Sequence, residues 1–101
     1  MNRRHKFHLI LVDLMESENV YFQPPATFKL ILPCLIYSRN DMFVQHANDK
    51  LYRNMTAYKV ISIDPDPEST IPDRILQLPL SRFESHYTAD NLNHDVFNVY
   101  Y

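Results

Sequence analysis

The sequence predicts an α+β fold: a mixed, mainly antiparallel β-sheet of about four to five strands, packed by an N-terminal helix and a second short helix, in the order α-β-β-β-α-β-β. Apolar residues near the start recur at three and four positions, the helical period. Later stretches are rich in Tyr, Val and Ile, and the last of them alternates with a period of two. Prolines at 24, 25, 33, 65, 67 and 79 separate these stretches, and proline can neither donate to a ladder nor continue a helix.

The first helix is expected over residues 2–17. Phe7, Ile10, Leu11 and Leu14 form its apolar stripe, and Leu9, Val12 and Met15 broaden it into one wide buried face. Its charges oppose the helix dipole, with Arg3, Arg4 and Lys6 at the positive end and Asp13, Glu16 and Glu18 near the negative end, each at a cost of about 0.3–1 kcal/mol at low salt. Solvent screening explains such an arrangement. So does an acidic partner that meets Arg3, Arg4 and Lys6.

Val20, Tyr21 and Phe22, stopped by Pro24 and Pro25, form a short edge strand over 19–23. Cys34, Leu35, Ile36 and Tyr37 form a continuous apolar strand, buried on both faces. Residues 40–54 are polar and aperiodic apart from Met42, Phe43 and Val44, which suggests a long loop or extended hairpin arm. A long arm in a small domain usually has a function. Residues 55–63 supply a central strand, with Tyr58 and Val60 on one face and Ala57, Ile61 and Ile63 on the other. After the Asp64-Pro65-Asp66-Pro67 turn, Thr70 is the expected N-cap of a helix reaching Leu78, with Pro72 in its first turn and Asp73 as a capping-box acid. Two strands, 80–87 and 95–101, follow, joined by a turn-forming run over 88–94.

Composition bounds the function. The 101 residues carry 10 Lys+Arg against 12 Asp+Glu, a net charge of −2, and are 46% hydrophobic, which fits a single domain over 1–101 and disfavours a dedicated nucleic-acid binder. Glycine is absent, where about 7% is usual, so the glycine-rich cradles that hold nucleotide phosphates are missing. One cysteine, Cys34, cannot close an internal disulfide, and a reducing compartment is the default expectation. The apolar run at residues 9–12 is far shorter than the ~20 residues of a membrane span, and no small-residue cleavage site follows it.

Few residues suggest chemistry. Asp64 and Asp66, with His94 and Asp95 downstream, resemble a divalent-metal set for a small metal-dependent nuclease, but acids beside prolines also suit a strand-to-helix turn. His5 and His8 share a helix face without an acidic neighbour to complete a metal site, and His46 and His86 have no supporting pattern. Cys34 sits in an apolar strand, the setting of an inert thiol. We therefore expect no enzyme activity, no catalytic or metal residue and no cofactor. The seven tyrosines and six phenylalanines exceed what a two-layer core of this size needs, which suggests that subunits pack side by side.

The segments Pro33-Cys34-Leu35-Ile36-Tyr37-Ser38-Arg39, Tyr58-Lys59-Val60-Ile61-Ser62-Ile63-Asp64 with Asp66 and Pro67, and above all residues 87–97 resemble the tail terminator, or tail-completion, proteins of the tailed-bacteriophage neck. The resemblance extends over nearly the whole chain. It implies a hexameric ring that caps the tail tube and docks to the head-completion and connector proteins, in a virion assembled in the host cytoplasm. Another head-tail joining or tail-assembly protein is the alternative within that class.

A ring closes when one surface of each subunit meets a different surface of its neighbour. The arm at 40–54, with Phe43, His46 and Tyr52, is expected to reach the adjacent subunit; Arg3, Arg4, Lys6, Tyr100 and Tyr101 are the other interface candidates. Genomic DNA would pass the lumen without specific binding, repelled by roughly −12 formal charges per ring, with Asp41, Asp49 and Glu68 as candidates to face it.

Overall fold

The computed structural model describes residues 2–40 and 55–101. Their order is α1 (Arg3–Met15), β1 (Val20–Phe22), β2 (Cys34–Arg39), β3 (Ala57–Asp64), α2 (Ile71–Leu76), β4 (Ser81–Ala89) and β5 (Leu92–Tyr100), the α-β-β-β-α-β-β order expected. The five strands form one sheet in the order β1-β2-β3-β5-β4. Among the described strand pairs only β1 and β2 run parallel, so the sheet is mixed and mainly antiparallel.

The core follows from strand parity. Tyr37, Val60 and Phe97 lie abreast on β2, β3 and β5, with Tyr58 and Val99 paired one step along the same face. Onto this face α1 lays Phe7, Leu11 and Met15, spaced by four, and α2 adds Ile71 and Ile75. Phe7 stacks on Tyr58 at 4.5 Å and meets Tyr37 edge-on at 5.6 Å, the offset and T-shaped arrangements that aromatic quadrupoles favour. The apolar stripe of α1 is narrower than expected: Leu9 is 46% exposed, because a single sheet face accepts only about one row and its flanks.

Helix ends use side chains in place of glycine. Asn2 caps α1, its Oδ1 accepting from His5 N–H at 2.7 Å, and Glu16 turns the chain out with φ of 59°. At α2, Thr70 holds the N-cap position without a side-chain cap bond; Ser69 Oγ accepts from Ile71 N–H instead, so the expected capping box does not form. The helix ends at Leu76, two residues before Leu78, and Pro79 bars its continuation.

The expected turn over 88–94 shrinks to Asp90 and Asn91, both with positive φ, between Ala89 and Leu92. Two successive left-handed residues match the twist of a two-residue hairpin, and Asp and Asn tolerate that conformation best after glycine. The flanking Thr88, Asn93 and His94 are therefore paired strand residues. Cys34 and Leu35 are buried, as a two-sided strand requires, whereas Ile36 is half-buried. Residues 23–33 link the parallel β1 and β2, with Phe28 against Tyr21 at 5.2 Å.

Candidate functional site

Arg3, Lys6, Tyr100 and Tyr101 converge. They line one cleft of about 890 Å³ whose remaining wall includes Phe7, Ile10, Leu78, Pro79 and Leu80. The convergence is a consequence of the pairing: Thr56 and Tyr101 exchange backbone hydrogen bonds at 2.8 and 3.0 Å, which extends β5 beneath the first turn of α1, where Phe7 packs on Tyr101 at 5.3 Å. Leu80, with φ of 56°, folds the chain from α2 into β4 and accepts from Tyr100 N–H at 3.2 Å. The floor is apolar and the rim carries two exposed cations, neither of which has an ion-pair partner among the described residues.

Arg4, one residue on, points elsewhere because successive helix residues are turned by about 100°. Its guanidinium donates to the Tyr37 hydroxyl at 3.2 Å and lies 4.9 Å from the Phe22 ring centroid, a cation–π contact. His8 Nδ1 lies 2.7 Å from the same hydroxyl. Burial, then the neighbouring Arg4, holds the His8 imidazole below its ordinary pKa, which favours the neutral ring, whose Nδ1 then accepts a hydrogen bond from the phenol O–H. Burial likewise raises the Tyr37 and Tyr58 phenols. Arg4 thus braces the core, while Arg3 and Lys6 face outward. Phe43, His46, Tyr52 and the arm from residue 41 onward, with Asp41 and Asp49, lie outside the described residues. Asn40, at its root, donates to Asn98 Oδ1 at 2.7 Å.

The second exposed feature is β4. It is the long edge of the sheet, and its residues from Arg82 to Ala89 are exposed. Phe83 and Tyr87 are each 46% exposed, Phe83 edge-on to Phe97 at 5.5 Å and Tyr87 stacked on His94 at 4.6 Å. Register puts Phe83 on the helix-bearing face, opposite Phe97, and Tyr87 on the other, opposite His94, so each face of the edge carries an aromatic ring. Among the described residues, the exposed aromatic rings are Phe83 and Tyr87 at this edge and Phe28; the others are buried or half-buried.

The acidic set does not converge into a metal site. Asp64 Oδ1 accepts from Asp66 N–H at 2.8 Å and Asp66 Oδ1 from Glu68 N–H at 2.9 Å, the local bonds of a turn. Asp95 pairs with His86 at 2.8 Å, and His94 contacts the Leu92 carbonyl. Among the described residues no group of three or more His, Cys, Asp or Glu is placed to hold a metal ion. Cys34 is buried, and burial followed by the charge of Asp64 pushes its thiol up to about 11.

The cleft wall at Leu78, Pro79 and Leu80 was not legible as a site. Its signal is a proline between two leucines just past a helix end, which is ordinary chain punctuation until β5 is known to end beside it. No family model, no curated protein and no solved structure matches the chain. Among the described residues no helix is long and apolar enough to cross a membrane.

Proposed function

We propose that this chain is a structural protein of the phage neck, assembling side by side into a ring that terminates the tail tube and joins it to the head-completion and connector proteins. The observation that carries the assembly is β4, a nine-residue edge strand with an aromatic ring exposed on each face. Unpaired N–H and C=O groups along such an edge are a template for another chain. Arg82 and Glu84 on the same strand restrict which partner fits, because an unmatched charge opposes indiscriminate pairing. The identity of the assembly as a neck ring rests on the resemblance of residues 33–39, 58–67 and 87–97. Six copies, genomic DNA sliding through the lumen and location in the virion belong to the same proposal.

Phe83→Ser with Tyr87→Lys tests it. Both side chains are half exposed, so the variant is expected to retain native circular dichroism while losing assembly and tube capping in negative-stain images with tail tubes. Unchanged rings would remove β4 from the interface.

A further inference from the structure

Among the described residues, the two ends of the sheet carry opposite charge. Ala57 pairs with Tyr100 at one end of β3 and Asp64 with Asn93 at the other, about 23 Å apart at 3.3 Å per residue. Arg3 and Lys6 flank the cleft at the Tyr100 end, where Arg39 and Arg82 pair with Tyr58 and Asn98. Asp66 and Glu68 stand exposed just beyond the opposite end, and Glu16 and Glu18 follow the helix that ends there.

We propose that the cleft lined by Arg3 and Lys6 receives the 65–68 turn of a second copy of this chain, so that copies join head to tail. The turn matches the cleft in kind. Pro65 and Pro67 offer rigid apolar rings to a floor of Ile10, Leu78, Pro79 and Tyr101, and Asp66 and Glu68 alternate with them to meet the two rim cations. Backbone bonds to Asp64 Oδ1 and Asp66 Oδ1 already fix the turn, so little freedom is lost on docking. A head-to-tail contact is heterologous and propagates into a closed ring or a filament. It requires only two copies of the chain and goes beyond the proposed neck role.

Two neutralised variants test it by sedimentation velocity. R3Q/K6Q keeps the acidic turn but loses the cationic rim. D66N/E68Q keeps the rim but loses the acids, and the side-chain amide it places at position 66 retains an oxygen to accept from the backbone N–H at position 68. All four side chains are exposed, and circular dichroism verifies that both variants fold. At about 20 mM salt, where charges act over tens of ångströms, the wild-type chain is expected to self-associate, and each variant alone to do so about tenfold more weakly. With Phe83→Ser and Tyr87→Lys added to both variants to remove β4 pairing, an equimolar mixture should form a one-to-one heterodimer that stops there, and about 0.5 M salt should dissociate it. Self-association of either variant at wild-type strength overturns the contact and leaves assembly through β4 standing. A wild-type chain that stays monomeric, or a mixture that forms no heterodimer, also overturns it, while tube capping judges the neck role separately.

Discussion

Removing one oxygen atom, by Tyr37→Phe, should cost the fold about 1–2 kcal/mol. The Tyr37 ring is fully buried, and its hydroxyl joins α1 to β2 by accepting from Arg4 and donating to His8. A neutral hydrogen bond contributes a net ~0.5–1.5 kcal/mol and one to a charged group ~1.5–3. Arg4 and His8 are only partly buried and regain water in the variant, which pulls the sum down to about 1–2. The ring stays, so the contacts with Phe7, Phe22 and Tyr58 and the cation–π contact of Arg4 persist. For a domain near 100 residues, about 1 kcal/mol moves Tm by ~4–8 °C, so thermal unfolding followed by circular dichroism should show a drop of roughly 4–16 °C. Urea unfolding should show a lower midpoint with an unchanged slope, because the surface buried is the same. A Tm within about 1 °C of wild type would refute the role given to this hydroxyl.

Protonation of His8 should weaken the same junction: the unfolded chain takes up this proton near pH 6.5 and the folded chain only at lower pH. Stability contributed by neutral His8 is therefore complete above about 6.5 and lost as pH falls through that value toward the depressed one; urea midpoints between about pH 7.5 and 5.5 should fall more for wild type than for His8→Gln, and equal falls would exclude His8. Glu16→Gly should stabilise by about 1 kcal/mol, since it relieves the left-handed backbone and removes an acid from the negative end of α1. Glu16→Lys, which corrects only the charge, should gain about 0.3–1 kcal/mol in chemical unfolding, and a gain equal to that of glycine would assign the whole effect to the dipole. Cys34, buried with its thiol pushed up to about 11, should react with an aromatic disulfide reagent only at the rate of unfolding, accelerating with urea; prompt labelling in native buffer would contradict its burial.

The central sheet was legible because β2, β3 and β5 advertise themselves through β-branched and aromatic residues whose parity the register keeps, Tyr58 and Val60 sharing the core face as expected. The hairpin was less so. Residues 88–94 are nearly all turn formers by local preference, and only cross-strand pairing decides that Thr88, Asn93 and His94 belong to strands. Ser69 and Thr70 offer equivalent hydroxyls, and the backbone angles at the helix start select Ser69. For the candidate site, the cationic cluster was visible but not its division: Arg4 bonds into the core while Arg3 and Lys6 line the cleft with Tyr100 and Tyr101. That grouping depends on α1 lying across the end of β5, a long-range fact that no local pattern carries. The exposure of β4 on both faces is of the same kind, set by its place at the sheet edge.

Self-assembly is tested most directly by native mass measurement of the purified chain, with and without tail tubes, beside negative-stain images of the same samples. Closed rings seated on tube ends, lost in the Phe83→Ser, Tyr87→Lys variant, are the predicted result. A chain that remains single and leaves every tube end bare would contradict it.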